Sequence, residues 1–256
     1  MCKILNISRS TYYYQPKDKS DDSKLEAEVL QVFNDNRKAY GTRKIKASLS
    51  VKASRRTIGK IMKRNNLISV YTKRKFKANK SSVNNEPIKN ELNRHFNDRQ
   101  PLEAVVTDLT YVDVSGTWHY VCLILDLFNR EVIGYSVGRY KTAELVKQAL
   151  ATIPYDCSKI KLFHTDRGSE FDNKLIDEFL EVFDITRSLS HKGTPYDNAV
   201  AESTYKSFKA EFIYQEQFDS LEELQIKTFD FINWWNNIRV HSSLNYKTPA
   251  QVRAEV

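Results

Sequence analysis

Cysteine is scarce in this chain. Cys2, Cys122 and Cys157 are the only three in 256 residues, an odd number at wide spacings, which excludes a disulfide framework and a C-x-x-C zinc module. Histidine is almost as sparse. The five, His95, His119, His164, His191 and His241, form no H-x3-5-H pair, so no structural zinc site is encoded and any metal must be held by oxygen ligands. Apolar residues never run to the roughly 20 that a membrane helix needs, and residues 1–10 lack the hydrophobic segment of a signal peptide. No internal repeat is present, and these absences together point to a soluble protein that stays in the cytoplasm with no membrane partner.

Charge, by contrast, is plentiful and unevenly spread. The net +8 divides into 24 Lys+Arg against 9 Asp+Glu over residues 1–100 and 16 against 23 over 101–256. Between Asn36 and Asn85 there are 16 basic residues and no acidic one. Such a stretch suits a polyanion, because Lys and Arg neutralising phosphates supply most of the non-specific affinity for nucleic acid.

Within that basic part, Leu25, Val29 and Phe33 recur at helical spacing, Tyr40-Gly41 interrupts, and Ile45 with Leu49 opens a second short helix. A third helix is predicted after Ser54 as N-cap, with Ile58, Ile61 and Met62 on one face and Arg56, Lys60, Lys63 and Arg64 on the other. This is the form of a recognition helix in a helix-turn-helix module, and Arg43 and Arg55 join the DNA-binding candidates. The expected division is an N-terminal arm over 1–20, a basic helical DNA-binding domain over 21–75, a linker over 76–100 with a short helix around 91–96, a core over 101–215, and a C-terminal helix and tail over 216–256.

After residue 101 the pattern turns to strands. Residues 105–114, 118–127 and 131–137 are rich in Val, Ile, Leu and Tyr and separated by short turns, as in an antiparallel meander. Helices are predicted over 142–151, 173–183, from near 198 and over 220–237, with strands over 161–165 and 184–189; the tail from 239 reads as irregular. A meander followed by alternating helix and strand predicts an α/β fold, a mixed sheet flanked by helices.

Three acids are conspicuous by position. Asp108 stands mid-strand in Thr107-Asp108-Leu109-Thr110-Tyr111, where strand propensity disfavours Asp. Asp166 ends the fourth strand, where Gly168 permits a tight turn. Glu202 lies one turn into the following helix, with Lys206 and Lys209 on its face, and Asp197 or Asn198 reads as that helix's N-cap. Cleaving a phosphodiester requires an activated oxygen, a stabilised leaving oxygen and charge neutralisation at phosphorus. Divalent ions held by carboxylates supply all three. Spacing by itself carries no weight, since 16 Asp and 16 Glu in 256 residues give about one Asp-to-Glu pair at any chosen separation by chance.

The motifs Thr107-Asp108-Leu109-Thr110-Tyr111, His164-Thr165-Asp166-Arg167-Gly168, and Gly193-Thr194-Pro195-Tyr196-Asp197-Asn198-Ala199 with Glu202-Ser203 occur in that order. With Tyr40-Gly41-Thr42-Arg43-Lys44-Ile45 before them and Trp235-Asn236-Asn237-Ile238-Arg239-Val240-His241 after, the chain resembles the second-reading-frame transposases of the third insertion-sequence family. The resemblance implies a ribonuclease H-like, retroviral-integrase-like core, with Asp108, Asp166 and Glu202 as catalytic ligands of two Mg²⁺ ions that Mn²⁺ can replace. It implies Lys209 and Lys206 at the DNA, double-stranded element ends and target DNA as substrates, and a homo-oligomer on DNA. It also implies a separate upstream-frame helix-turn-helix protein joined by frameshifting, which the start at Met1-Cys2-Lys3-Ile4 fits. Val105 stands where the family commonly has Trp, and Glu170 where it has Gln. The alternatives are a DNA-binding regulator with an inactive core and a ribonuclease H-like nuclease that cuts without joining.

Overall fold

The computed structural model describes residues 2, 4–14, 23–72, 89–191 and 194–256. The expected linker over 76–88, much of the N-terminal arm and Gly193 fall outside them. A short helix, α1 (Arg9–Tyr12), precedes three helices of the basic part, α2 (Ser23–Asp35), α3 (Thr42–Ser48) and α4 (Arg55–Arg64). Ser54 caps α4 by accepting the Thr57 N–H, and Ile58, Ile61 and Met62 are buried, as the apolar stripe predicts.

The core is a five-stranded sheet of β1 (Ala104–Val114), β2 (Thr117–Asp126), β3 (Val132–Gly138), β4 (Leu162–Thr165) and β5 (Thr186–Leu189) in the order β3-β2-β1-β4-β5. The first three strands form the antiparallel meander, and β4 and β5 continue it in parallel beside β1. Ser115 and Gly116 both take positive φ in the two-residue turn between β1 and β2, the geometry that matches the twist of paired strands.

Strand alternation assigns the two faces. Val105, Cys122, Ile124 and Phe163 point to the side covered by α5 (Ala143–Ala151) and α6 (Lys174–Val182). Val106, Val112, Leu123 and Leu125 point to the other side, where α7 (Ala199–Glu211) and α8 (Leu221–Asn237) pack. The cluster on this second side also takes in Val29, Phe33, Tyr40 and Ile58, so the basic helices share a hydrophobic core with α7 and α8.

Three expectations are corrected. Residues 91–96 form turns rather than a helix, because Leu92 is wholly buried, its N–H is donated to Ser188 Oγ at 3.1 Å, and Arg94 is drawn to Asp197. The tail is ordered: His241 bridges to Lys247, a 3₁₀ turn covers Ser242–Leu244, and α9 (Pro249–Arg253) starts with a capping box between Thr248 and Gln251. Ile238, which continues the helical spacing of Leu221, Leu224, Phe231 and Trp235 and is expected on their apolar stripe, is instead 52% exposed past the end of α8.

The last residue of α7 ties these parts together. Glu211, 1% exposed, accepts two hydrogen bonds of 2.7 Å from Arg239 and one from the Tyr71 hydroxyl. Removing one partner of a buried ion pair leaves an uncompensated charge. Glu211→Gln should therefore cost roughly 3 kcal/mol, read as a lower urea midpoint at unchanged m-value.

Candidate active site

The site begins with strand register. Val106 of β1 pairs with His164 of β4 in parallel as the last pair of that ladder, and Asp166 follows one residue past the end of β4, close enough for its charge to act on Asp108. Each carboxylate accepts a hydrogen bond from nearby backbone: Asp108 Oδ1 from Leu109 N–H at 2.8 Å, and Asp166 Oδ1 from Gly168 N–H at 2.9 Å. Burial raises the pKa of Asp108 to about 7, with the charge of Asp166 adding to the effect and Lys209 opposing it. Asp166 is also raised, by burial and by Glu170, while the Gly168 N–H and Lys141 act in the other direction.

The third carboxylate arrives on α7, which is docked over the middle of β1. Asn198 Nδ2 donates to the Thr107 carbonyl at 3.2 Å. Tyr205 is buried, and its hydroxyl accepts the Leu123 N–H at 2.6 Å and donates to the Asp108 carbonyl, bridging β1 and β2 beside the acid. Glu202, one turn earlier on α7, is exposed. Burial raises its pKa, and its charge is the smallest of the influences on Asp108. Among the described residues no three His, Cys, Asp or Glu side chains form a ready metal cluster. Asp108 and Asp166 come together, and Glu202 faces them from the helix.

The remaining candidates divide by location. Lys209 Nζ lies 5.0 Å from the centroid of the Tyr111 ring, near enough to Asp108 to lower its pKa, and Lys206 is exposed on α7. Arg43, Arg55, Arg56, Lys60, Lys63 and Arg64 are exposed on α3 and α4. Arg64 also pairs with Glu26 of α2, a structural contact within the helical unit. Neither proposed N-cap of α7 acts as one. Asn198 makes no capping bond, and Asp197 instead binds Arg94 Nε at 2.7 Å, the backbone and ring of His191, and Thr194, which hold its pKa far below the usual carboxylate range against the opposing effect of burial.

Sequence reasoning missed Tyr205 and Lys141 here. Tyr205 falls on the apolar stripe with Ala201 and Phe208, the signal that it faces the sheet. Glu170, 5% exposed, is paired with Lys141 at 2.7 Å. A Cβ at Gly168 would meet the end of the Glu170 side chain, and the turn that begins there, with the Phe171 and Asp172 N–H groups on the Gly168 carbonyl, does not need a positive φ.

Comparison with known proteins identifies the family and the fold. Integrase core domain models match residues 98–195 and 183–249, and an HTH-like domain model matches 19–75. The insertion element IS600 uncharacterized 31 kDa protein of Shigella sonnei is 32% identical over 99% of this chain and 97% of its own length. The transposase InsF for insertion sequence IS3A of Escherichia coli is 28% identical over 98% and 92%. The fold is also similar to a chain of the simian T-cell lymphotropic virus intasome in complex with PP2A regulatory subunit B56 gamma, with a TM-score of 0.50 and 15% identity over 88% of this chain and 73% of that one. The chain belongs to the insertion-sequence transposases of the third family, with an HTH-like DNA-binding unit ahead of an integrase core, and its activity is polynucleotidyl transfer in DNA transposition. No helix among the described residues is long and apolar enough to cross a membrane.

The raised pKa of Asp108 has a definite sign. The folded chain holds a proton that the unfolded chain releases between its ordinary value of 3.8 and about 7, so stability falls as pH rises through that window. In chelator, the wild type should lose on the order of 2 kcal/mol relative to Asp108→Asn between pH 5 and pH 8, measured by urea unfolding. Equal pH slopes would contradict this reading.

Proposed function

We propose that Asp108, Asp166 and Glu202 are the catalytic carboxylates of this transposase and that they hold two Mg²⁺ ions, with Mn²⁺ as a substitute. The observation that supports the reading is the closeness of Asp166, just past the end of β4, to Asp108 on the neighbouring strand β1, with Glu202 on the helix docked over β1 and its charge also felt at Asp108. The donor set fits a hard divalent cation: it is oxygen only, and burial and a neighbouring acid, Asp166 for Asp108 and Glu170 for Asp166, disfavour the negative charge of both. Divalent ions bound there supply activation of the attacking oxygen and stabilisation of the leaving one.

The chain's own residues do the rest. Tyr205 and Asn198 fix α7 against β1 and so set where Glu202 stands relative to the aspartates. Lys206 and Lys209, one and two turns beyond Glu202, contact DNA phosphates beside the scissile bond. Arg43, Arg55, Arg56, Lys60, Lys63 and Arg64 grip the element's terminal repeat from α3 and α4. The working unit is a homo-oligomer that pairs two DNA ends in the cytoplasm at the nucleoid, with an upstream-frame helix-turn-helix partner supplied by frameshift fusion. The domain divisions expected from the sequence, 21–75 for DNA binding and 101–215 for catalysis, belong to this proposal.

The test is strand cleavage and joining on a labelled element end with Mg²⁺ or Mn²⁺. Asp166→Asn and Glu202→Gln should each fall below about a hundredth of wild-type product, since even outer-shell changes at metal sites cost 10–100-fold, while DNA binding persists. Either variant retaining near-wild-type cleavage would remove that residue from the site. Binding without chemistry in the wild type, even with the upstream frame supplied, would describe a regulator instead.

A further inference from the structure

Where α3, the outer face of α7 and the C-terminal segment meet, they enclose a polar pocket of about 390 Å³ whose lining includes Lys44, Arg130, Ser203, Ser207 and Ser243. No Asp or Glu lines it. Arg239 also reaches the pocket, but its guanidinium is engaged bidentately by Glu211 behind the wall.

Lys44 is the anomaly. Its Nζ is buried and meets no hydrogen-bond partner, so three donors go unused. The Tyr40 ring, 4.9 Å away, offers only a cation–π contact. Burial and then Arg239 lower its pKa to about 8 while the charge of Glu211 acts the other way, which leaves the ammonium charged at neutral pH with no hydrogen-bond partner of its own. Arg130 adds a second cation fixed in place, its guanidinium held at 2.9 Å by the carbonyls of Leu127 and Phe96 and by Asn97 Oδ1, none of them a carboxylate. Ser243 adds a hydroxyl to the lining, while that of Ser203 is donated to the Val200 carbonyl at 3.0 Å and that of Ser207 is engaged with Tyr71. Cations and a hydroxyl converging without an acid make a receptor for a tetrahedral oxyanion. Ser203 directly follows Glu202, so one wall of the pocket adjoins the proposed catalytic carboxylate.

We propose that this pocket takes a backbone phosphate of the DNA strand held at the active site, with Lys44 as its principal donor. The inference rests on the transposase reading above. It gives the basic N-terminal unit a second role, gripping the strand beside the reacting centre as well as the terminal repeat.

The test uses the full chain, its Lys44→Met and Ser243→Asp variants, duplex DNA carrying an element end, and inorganic phosphate. Ser243 is exposed, so its substitution leaves the fold intact if Lys44→Met does not. One lost phosphate contact should flatten the slope of log affinity against log salt by about 0.9. From 50 to 200 mM salt the wild type should then lose roughly 3.5-fold more affinity than either variant. Inorganic phosphate should raise the wild-type melting temperature and leave that of both variants unmoved, and Lys44→Met should melt at or above wild type without phosphate. Unchanged salt slopes in both variants would overturn the proposal, and a phosphate response with an unchanged slope would reassign the pocket to free anions. A wild-type chain that binds no DNA at all would instead bring down the transposase reading, and the phosphate arm would still report on the pocket.

Discussion

The carboxylate of Asp108 is buried in the middle of β1, and burial and the nearby charge of Asp166 both oppose its ionisation. That juxtaposition follows from the parallel ladder between β1 and β4, which ends at the pair of Val106 with His164 and brings Asp166 in two residues later. Much of the surrounding structure moderates it. Backbone N–H groups of Leu109 and Gly168 solvate one oxygen of each acid, Lys209 and Lys141 offset the charge from opposite sides, and Tyr205 pins the backbone of Asp108 to β2. What remains is a site whose negative charge is stored, as expected of one that functions with divalent cations.

The second organising contact is the Arg239–Glu211 pair, because it lies where three parts of the chain meet. Tyr71 from the basic helical unit, Glu211 from α7 and Arg239 from the segment after α8 share one buried network, and Tyr40 joins it by accepting the Val240 N–H at 2.7 Å. Aromatic packing reinforces the junction: Phe208, Phe212, Phe231 and Trp235 form a continuous cluster between α7 and α8, with Arg37 of the helical unit over Trp234. The helix that carries Glu202 is therefore braced from the sheet by Tyr205 and from its far end by Glu211, which links it to the basic helical unit through Tyr71.

Much of this was legible in the sequence because it rests on periodicity. The meander, the alternation of helix and strand after it, and the stripe of α4 follow from patterns of two and 3.6, and Asp108 stood out because nothing local favours an acid there. Other features depend on contacts between distant residues and left no local trace. Leu92 and Arg94 abandon a helix for partners near β5 and α7, and Asp197 is taken from capping by Arg94 and His191. The Glu170 carboxylate beside Gly168 is paired with Lys141, 29 positions away. The capping box at Thr248-Pro249-Ala250-Gln251 was open to reading, since Pro at the first helical position and Gln three after Thr are local signals of a helix start.

The central claim is that three acids far apart in sequence surround one cation site, and localised cleavage of the protein's own backbone tests it most directly. Fe²⁺ exchanged into the metal-free protein and given ascorbate and peroxide cuts the chain close to wherever the iron is bound. The account predicts three cuts, near Asp108, Asp166 and Glu202, all lost together in Asp108→Asn and suppressed by excess Mg²⁺. Cuts confined to the neighbourhood of Asp108 and Asp166, or clustered elsewhere, would contradict it.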